Sequence, residues 1–206
     1  MAKKKTSRKP VRRKAPARKS GARRSGAGRS AGAAAPKGAP GAPAGMHSVI
    51  PQLTLRETAR AIDFYKQAFG AKERMRMPAP DGRSIWHAEI QIGDSVVFLN
   101  DEMPQSPTTA PSPTHKPTGV LQLYVKDCDA VFQSAVQAGA RVGMPLADMF
   151  WGDRYGVVID PFGQVWGIGT HVKDLSPEET MKAGQEWAAK NMPPGGQRPP
   201  QTQATF

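Results

Sequence analysis

The sequence predicts an α+β domain over residues 47–172, built from two βαβββ modules that follow one another along the chain. Two observations predict this repeat. First, an alternating strand-like run in each half leads into a segment with helical spacing that stops at a Gly-Ala pair. Second, three short strand-like runs follow that pair in each half. One module alone would leave a sheet face exposed. We therefore expect the two modules to pair into a curved, barrel-like mixed sheet around a cavity.

The first module begins with an alternating run over residues 49–55. The spacing of apolar side chains then predicts a helix over residues 58–69. Gly70 follows directly, and glycine suits the left-handed position that ends many helices. The three strands of this module are predicted at residues 72–77, 84–92 and 95–99.

The second module repeats the order after a linker over residues 100–117, which contains five prolines. Its first strand is predicted at residues 120–125 and its helix at residues 128–138. The last two strands flank Asp160-Pro161-Phe162-Gly163, where the proline and the glycine favour a tight turn. The predicted strands after the helix are residues 141–145, 155–159 and 164–169.

Residues 173–206 form a separate C-terminal region in this interpretation. Ser176, Pro177 and Glu179 match a capping box with proline at the first helical position, so a short helix should start there. Pro193-Pro194-Gly195-Gly196 should end it. We expect this helix to pack on the domain or on a second subunit and the last residues to form a flexible tail.

Residues 1–46 carry 14 of the 29 Lys and Arg residues and no Asp or Glu, so this segment alone has a charge of +14 and accounts for the net charge of +12. The rest of the chain holds 15 basic and 17 acidic residues. The segment has almost no large apolar side chains, which predicts disorder. One interpretation is an electrostatic arm for DNA, RNA or another polyanion. The others are a solvated extension without a partner, or translation that starts at Met46.

Composition also limits the cellular setting. No run approaches the roughly 20 apolar residues that a membrane-spanning helix needs, and no apolar core near the N-terminus suggests a secretory signal. Cys128 is the single cysteine, which excludes an internal disulfide and a cysteine metal cluster. We expect a cytoplasmic protein, with nucleoid association as a consequence of the basic segment.

Strand alternation predicts which side chains line the cavity, because successive residues of a strand point to opposite faces. Trp86, Ala88 and Ile90 should pack against a helix, with Trp86 and Trp166 in the core. The opposite faces should line a wet interior. The predicted lining residues are Gln52, His87, Glu89, Gln122 and Tyr124. Glu89 is the candidate general base or metal ligand, and His87 is its candidate proton partner.

A second group of candidates surrounds the loop before the hairpin. Arg154 could bind an anionic substrate, with Trp151 forming an apolar wall. The alternative is that Asp153 and Arg154 pair with each other to fix the loop. His171 lies near the end of the domain, where solvent exposure is the expected state.

The segment from Phe150 to Ile168 resembles the last two strands of the vicinal oxygen chelate superfamily, which includes glyoxalase I, bleomycin-resistance proteins and extradiol dioxygenases. Within it, the chain is most similar to the PhnB-like branch. The resemblance implies paired βαβββ modules and a homodimer, because relatives commonly build cavities between subunits. It also implies four inward positions for a divalent metal, which fall at Ile50, Glu89, Val120 and Gly167. Only Glu89 can coordinate a metal, so a complete glyoxalase-I site is not expected; shifted ligation by His87, Glu89 and Gln52 is the alternative.

Three functions fit these observations. The first is a lyase or dioxygenase that acts on a small oxygenated molecule. The second is non-catalytic sequestration of a small molecule in the same cavity, as in resistance proteins. The third is a regulatory protein that its basic segment tethers to nucleic acid.

Overall fold

The computed structural model describes residues 41–104 and 106–192, so most of the basic segment and the last 14 residues lie outside the described chain. The predicted order of elements is confirmed: two βαβββ modules precede a C-terminal helix. The first module comprises β1 (Gln52–Leu55), α1 (Thr58–Phe69), β2 (Lys72–Pro78), β3 (Ile85–Ile92) and β4 (Ser95–Asp101). The second comprises β5 (Leu121–Tyr124), α2 (Cys128–Gln137), β6 (Arg141–Asp148), β7 (Asp153–Ile159) and β8 (Val165–His171), and α3 (Pro177–Asn191) follows.

Each module keeps its own four-stranded sheet. The strand order is β1-β4-β3-β2 in sheet 1 and β5-β8-β7-β6 in sheet 2. The pairs β1–β4 and β5–β8 are parallel, and all other neighbouring strands are antiparallel. The predicted α+β fold of paired βαβββ modules is confirmed, and the two mixed sheets are not closed into one. Residues of β1, the linker and the start of β5 line a cleft of about 670 Å³.

Helices α1 and α2 contribute to one hydrophobic core that spans the two modules. Tyr65 and Phe69 of α1 contact the indole ring of Trp166 in β8, with ring centroids 5.3 and 4.7 Å apart. The helices also meet directly, because the Ser134 hydroxyl of α2 donates to the carbonyl oxygen of Gln67 in α1 at 3.0 Å. The helix-facing side of each sheet is thus buried, and the opposite faces remain for a site.

Asp160, in the turn between β7 and β8, joins the modules through its carboxylate. One oxygen accepts from the Tyr65 hydroxyl at 2.8 Å and from the Trp166 indole at 3.0 Å. The other accepts the backbone N–H groups of Phe162 and Gln164, both at 2.9 Å. Burial raises the pKa of Asp160, although these hydrogen bonds oppose the rise. The turn predicted from Asp160 to Gly163 is therefore also a connection between modules.

The helix ends agree with the sequence signals. Gly70 follows α1 in the left-handed conformation, with φ of 65°. Ser176 and Glu179 form the predicted capping box at the start of α3. No residue of α3 is fully buried, and the helix contacts the domain through Trp187, whose ring lies 5.8 Å from that of Phe150. Within the described residues, no helix is long and apolar enough to cross a bilayer.

One core prediction is wrong. Trp166 is buried, but Trp86 is 51% exposed. The pairing of β2 with β3 steps from Met77–His87 to Pro78–Ile85, so Trp86 is an extra residue in a β-bulge. Ile85 takes the buried position instead.

Candidate functional site

The candidate residues of the first module lie together on the face of sheet 1 that points away from α1. The imidazole of His87 and the carboxylate of Glu89 are 3.7 Å apart at their nearest atoms. The amide of Gln52 donates to the Oδ1 atom of Asn100 at 2.9 Å. Phe98 packs edge-on to the His87 ring, with centroids 4.8 Å apart. Strand alternation thus predicted the correct face for Gln52, His87 and Glu89.

Sequence reasoning missed Arg74. Its Nε atom lies 3.8 Å from the Oε2 atom of Glu89, so the carboxylate stands between a cation and an imidazole. The β2–β3 register shifts between Glu73 and Met75, which makes Arg74 an extra residue in a second bulge. A bulge re-aims its side chain relative to strict alternation. Because bulges depend on cross-strand pairing, no pattern within residues 72–77 could have revealed this position.

The candidate residues of the second module lie on the corresponding face of sheet 2. Gln122 pairs with Gly167 across β5 and β8, as Gln52 pairs with Phe98 in the first module. The hydroxyl of Tyr155 and the Oε1 atom of Gln122 fill the space beside Gly167, and a Cβ there would overlap both atoms. Tyr124 and Trp151 lie on the same face, joined by Asp153.

Asp153 is a buried hydrogen-bond acceptor. Its Oδ2 atom accepts from the Tyr124 hydroxyl at 2.7 Å and from the Trp151 indole at 3.0 Å, and its Oδ1 atom lies 2.8 Å from Nδ1 of His171. Burial alone would raise the pKa of Asp153, but the three hydrogen bonds outweigh it and hold the pKa below its usual value. His171 is 53% exposed, as the sequence suggested, and its ring lies between Asp153 and Asp174.

Arg154 lies away from the other candidates, on the α2 side of sheet 2. Its guanidinium donates to both carboxylate oxygens of Asp129, at 2.6 and 2.7 Å, and to Asp148 at 3.2 Å. The expected Asp153–Arg154 pair does not form, because adjacent residues of β7 point to opposite faces. Arg154 therefore holds α2 against the strands and does not face the Tyr124 group.

The four positions implied for a metal do not supply a donor set. Glu89 is the one residue among them with a ligating side chain, and at Gly167 the space is filled by Tyr155 and Gln122. Across the described residues, no three His, Cys, Asp or Glu side chains converge in a metal-binding arrangement. The residues present do not fit a glyoxalase-I-type metal centre.

The two candidate groups lie on different sheets of the described chain. Gln122 and Tyr124 line a cavity of about 440 Å³ together with the segment before β1 and the hairpin between β3 and β4. His87 and Glu89 are not among the residues that line it. A single interior lined by all four residues stays a prediction, and within the described chain the two groups lie on separate sheets.

Comparison with known proteins identifies relatives of this fold. The family model for the Glyoxalase/Bleomycin resistance protein/Dioxygenase superfamily matches residues 45–168. An uncharacterized protein of Mycobacterium tuberculosis, Rv0887c, is 43% identical over 139 residues, which cover 66% of this chain and 81% of that protein. The crystal structure of TioX from Micromonospora sp. ML1 is 29% identical, with a TM-score of 0.50 over 60% of this chain and 98% of that chain. A PhnB protein from Bacillus cereus is 16% identical, with a TM-score of 0.49 over 60% of this chain and 99% of that chain.

Proposed function

Because this chain belongs to the Glyoxalase/Bleomycin resistance protein/Dioxygenase superfamily, we propose that it binds or transforms a small oxygenated molecule on the polar faces of its two sheets. The observation that carries the proposal is the position of Glu89. Its side chain is 14% exposed and stands between His87 and Arg74 on a sheet face that no helix of the described chain covers. A carboxylate with these neighbours can accept a proton or a hydrogen bond from a ligand.

The geometry around Glu89 leaves its oxygen atoms available. The distances of 3.7 and 3.8 Å to His87 and Arg74 are longer than hydrogen bonds, so a ligand hydroxyl can bind Glu89 without displacing a bonded partner. Arg74 offers a positive charge to further ligand oxygens. Met75 and Met77 pair with Glu89 and His87 across the strands and supply apolar surface beside them. Glu89 thus serves as acceptor or general base and His87 as its proton partner.

A second copy of the chain would complete this site. The two sheet faces expose large side chains to solvent: Met75 is 42% exposed, Met77 44% and Tyr124 58%. Such exposed apolar surface is typical of an interaction site. In the proposed homodimer, sheet 1 of one protomer covers sheet 2 of its partner. Glu89 and His87 of one chain would then share a cavity with Gln122 and Tyr124 of the other.

A ligand screen tests the function. We expect a screen of small carbonyl compounds and aromatic diols, read out by ligand-observed NMR, to yield a binder or a substrate. The Glu89→Gln variant keeps the shape of the side chain but removes its charge, so it should weaken binding or turnover at least about tenfold. Asp63→Asn, a change of an exposed carboxylate on α1, is the matched control and should bind normally. Unchanged binding by folded Glu89→Gln protein would refute the assignment.

Mixing two inactive variants tests the shared site. If Glu89→Gln and Gln122→Ala each abolish binding, a mixed dimer contains one doubly altered site and one intact site. Random exchange should restore about a quarter of the sites. No recovery in a mixture shown to contain mixed dimers would place both residues in one chain's own site. Turnover of the ligand would favour the lyase or dioxygenase, whereas binding without turnover would favour sequestration.

We propose a second, independent activity for the basic segment. Its 14 Lys and Arg residues without any Asp or Glu favour contact with DNA, RNA or another polyanion, and this contact would associate the protein with the nucleoid. Deleting residues 1–45 should leave the thermal midpoint nearly unchanged, because the core residues of the described chain begin at Met46. DNA affinity of the full chain should fall at least about a hundredfold between about 50 and 200 mM salt. Salt-insensitive DNA binding by the truncated protein would contradict this proposal.

A further inference from the structure

Asp153 holds three side chains from three parts of the chain, and two of them are aromatic residues of the proposed binding face. Its own side chain is only 3% exposed. The Tyr124 hydroxyl comes from β5, the Trp151 indole from the loop before β7, and the His171 ring from the end of β8. Losing a hydrogen-bond donor from a buried carboxylate raises the free energy of the folded state, because water does not replace the donor. Asp153 therefore fixes where the rings of Tyr124 and Trp151 stand.

The residues after β8 bind the loop before β7, which carries Trp151. We name residues 172–176 the C-terminal strap. The backbone N–H groups of Val172 and Lys173 both donate to the carbonyl oxygen of Gly152, at 3.0 and 2.9 Å. Gly152 has φ of 95°, and a Cβ at this position would overlap the carbonyl oxygen of Lys173. The strap thus crosses the loop at a point where only glycine fits.

Helix α3 continues this contact. Trp187 lies against Phe150, and Phe150 packs edge-on to Trp151 with ring centroids 5.0 Å apart. The family model ends at residue 168, so His171, the strap and α3 all lie beyond the matched region. The C-terminal helix therefore contacts the aromatic wall of the proposed site from outside the matched region.

His171 connects the strap to Asp153 through its two ring nitrogens. Nδ1 lies 2.8 Å from Asp153 and Nε2 lies 2.9 Å from Asp174 of the strap. A protonated imidazole donates from both nitrogens, whereas a neutral one has a single N–H. The neutral ring should keep its N–H toward buried Asp153, since water can replace the donor at fully exposed Asp174. Loss of the proton therefore breaks the hydrogen bond from Nε2 to Asp174 and leaves the strap held to the loop by its backbone bonds to Gly152.

We infer that Asp153 is a positioning residue for the binding face of sheet 2 and that the proton on His171 fastens the C-terminal strap to it. The inference rests on the proposed function only for what the face binds. Besides the two carboxylates, Tyr124 and Lys126 line the same surface depression as His171. The hydrogen bonds to Asp153 and Asp174 raise the pKa of His171 despite some desolvation. The fastening is thus complete below about pH 6.5 and is lost as the pH rises through the elevated pKa.

The test follows the indole N–H signals of the ¹⁵N-labelled full-length protein by NMR, from about pH 5.5 to about pH 9. The signals of Trp151 and Trp187 should move with one midpoint above 6.5. In His171→Gln, which removes the titrating group, both signals should stay still. Asp174→Asn should lower the midpoint at Trp151 and abolish the response at Trp187. The Trp166 indole, bonded to Asp160, is the internal control and should not respond.

Each alternative result overturns part or all of the inference. A Trp151 signal that is independent of pH, or that titrates equally in His171→Gln, would remove the role of His171. Titration at Trp151 without any response at Trp187 would remove the link to the strap. These measurements need no ligand, so a failed ligand screen would count against the proposed function and not against this linkage.

Discussion

Replacing Asp160 by Ala should lower the free energy of unfolding by about 3 kcal/mol, because a buried donor that loses its acceptor costs about 1–3 kcal/mol. Two buried donors, the Tyr65 hydroxyl and the Trp166 indole, would lose their acceptor, and the turn N–H groups of Phe162 and Gln164 would lose theirs. Because Tyr65 comes from α1 and Trp166 from β8, the loss would loosen the contact between modules. Chemical denaturation at neutral pH, with circular dichroism as the signal, measures the effect.

Two comparisons isolate the cause. Tyr65→Phe removes only one of the four donors and should cost about 1 kcal/mol. Asp94→Asn alters an exposed carboxylate and should stay within about 0.5 kcal/mol of the wild type. Because burial raises the pKa of Asp160, its stabilising contribution should be largest below about pH 3.8 and should decrease as the pH rises through the elevated value. An Asp160→Ala protein as stable as Asp94→Asn would show that the carboxylate does not join the modules.

Gly156→Ala should destabilise the second module by about 2 kcal/mol, a typical cost of overpacking. A Cβ at this position would lie 2.8 Å from the Phe132 ring of α2 and 3.1 Å from backbone atoms of Leu146 and Met144 in β6. Neither the buried ring nor the strand backbone can move freely, so α2 would have to shift away from sheet 2.

Gly169→Ala is the matched control in the neighbouring strand. There the nearest atoms to a Cβ are 3.4 Å away or more, an ordinary contact distance. Alanine also restricts the unfolded chain, so this variant should be neutral or slightly more stable than the wild type. Thermal unfolding of both variants gives the comparison. Equal midpoints would mean that the α2 contact at Gly156 is not tight in solution.

The sequence alone determined the order of the elements and the faces of most strands. Helical spacing followed by Gly70, and the Ser176 capping signature, are local signals that depend on nearby residues only. Alternation placed His87 and Glu89 on one face because that period is fixed by the backbone of a strand. The hairpin around Asp160 carried enough of the family pattern to indicate the superfamily.

Local patterns failed wherever a bulge interrupted the strand period. Trp86 and Arg74 each occupy an extra position in the β2–β3 pairing, which sent Trp86 outward and brought Arg74 to Glu89. A bulge is set by how two strands pair, and that pairing depends on residues far apart in the chain. Sequence reasoning therefore assigned Trp86 to the core and overlooked Arg74.

Only the tertiary structure decided which charged groups are partners. Arg154 binds Asp129 of α2 and Asp148 of β6, whereas its neighbour Asp153 binds Tyr124, Trp151 and His171. It also decided that the two modules keep separate sheets joined through α1, α2 and Asp160. The physical reason is common to these cases: backbone periodicity is local and is written in the sequence, while the partner of a side chain is set by the packing of distant elements.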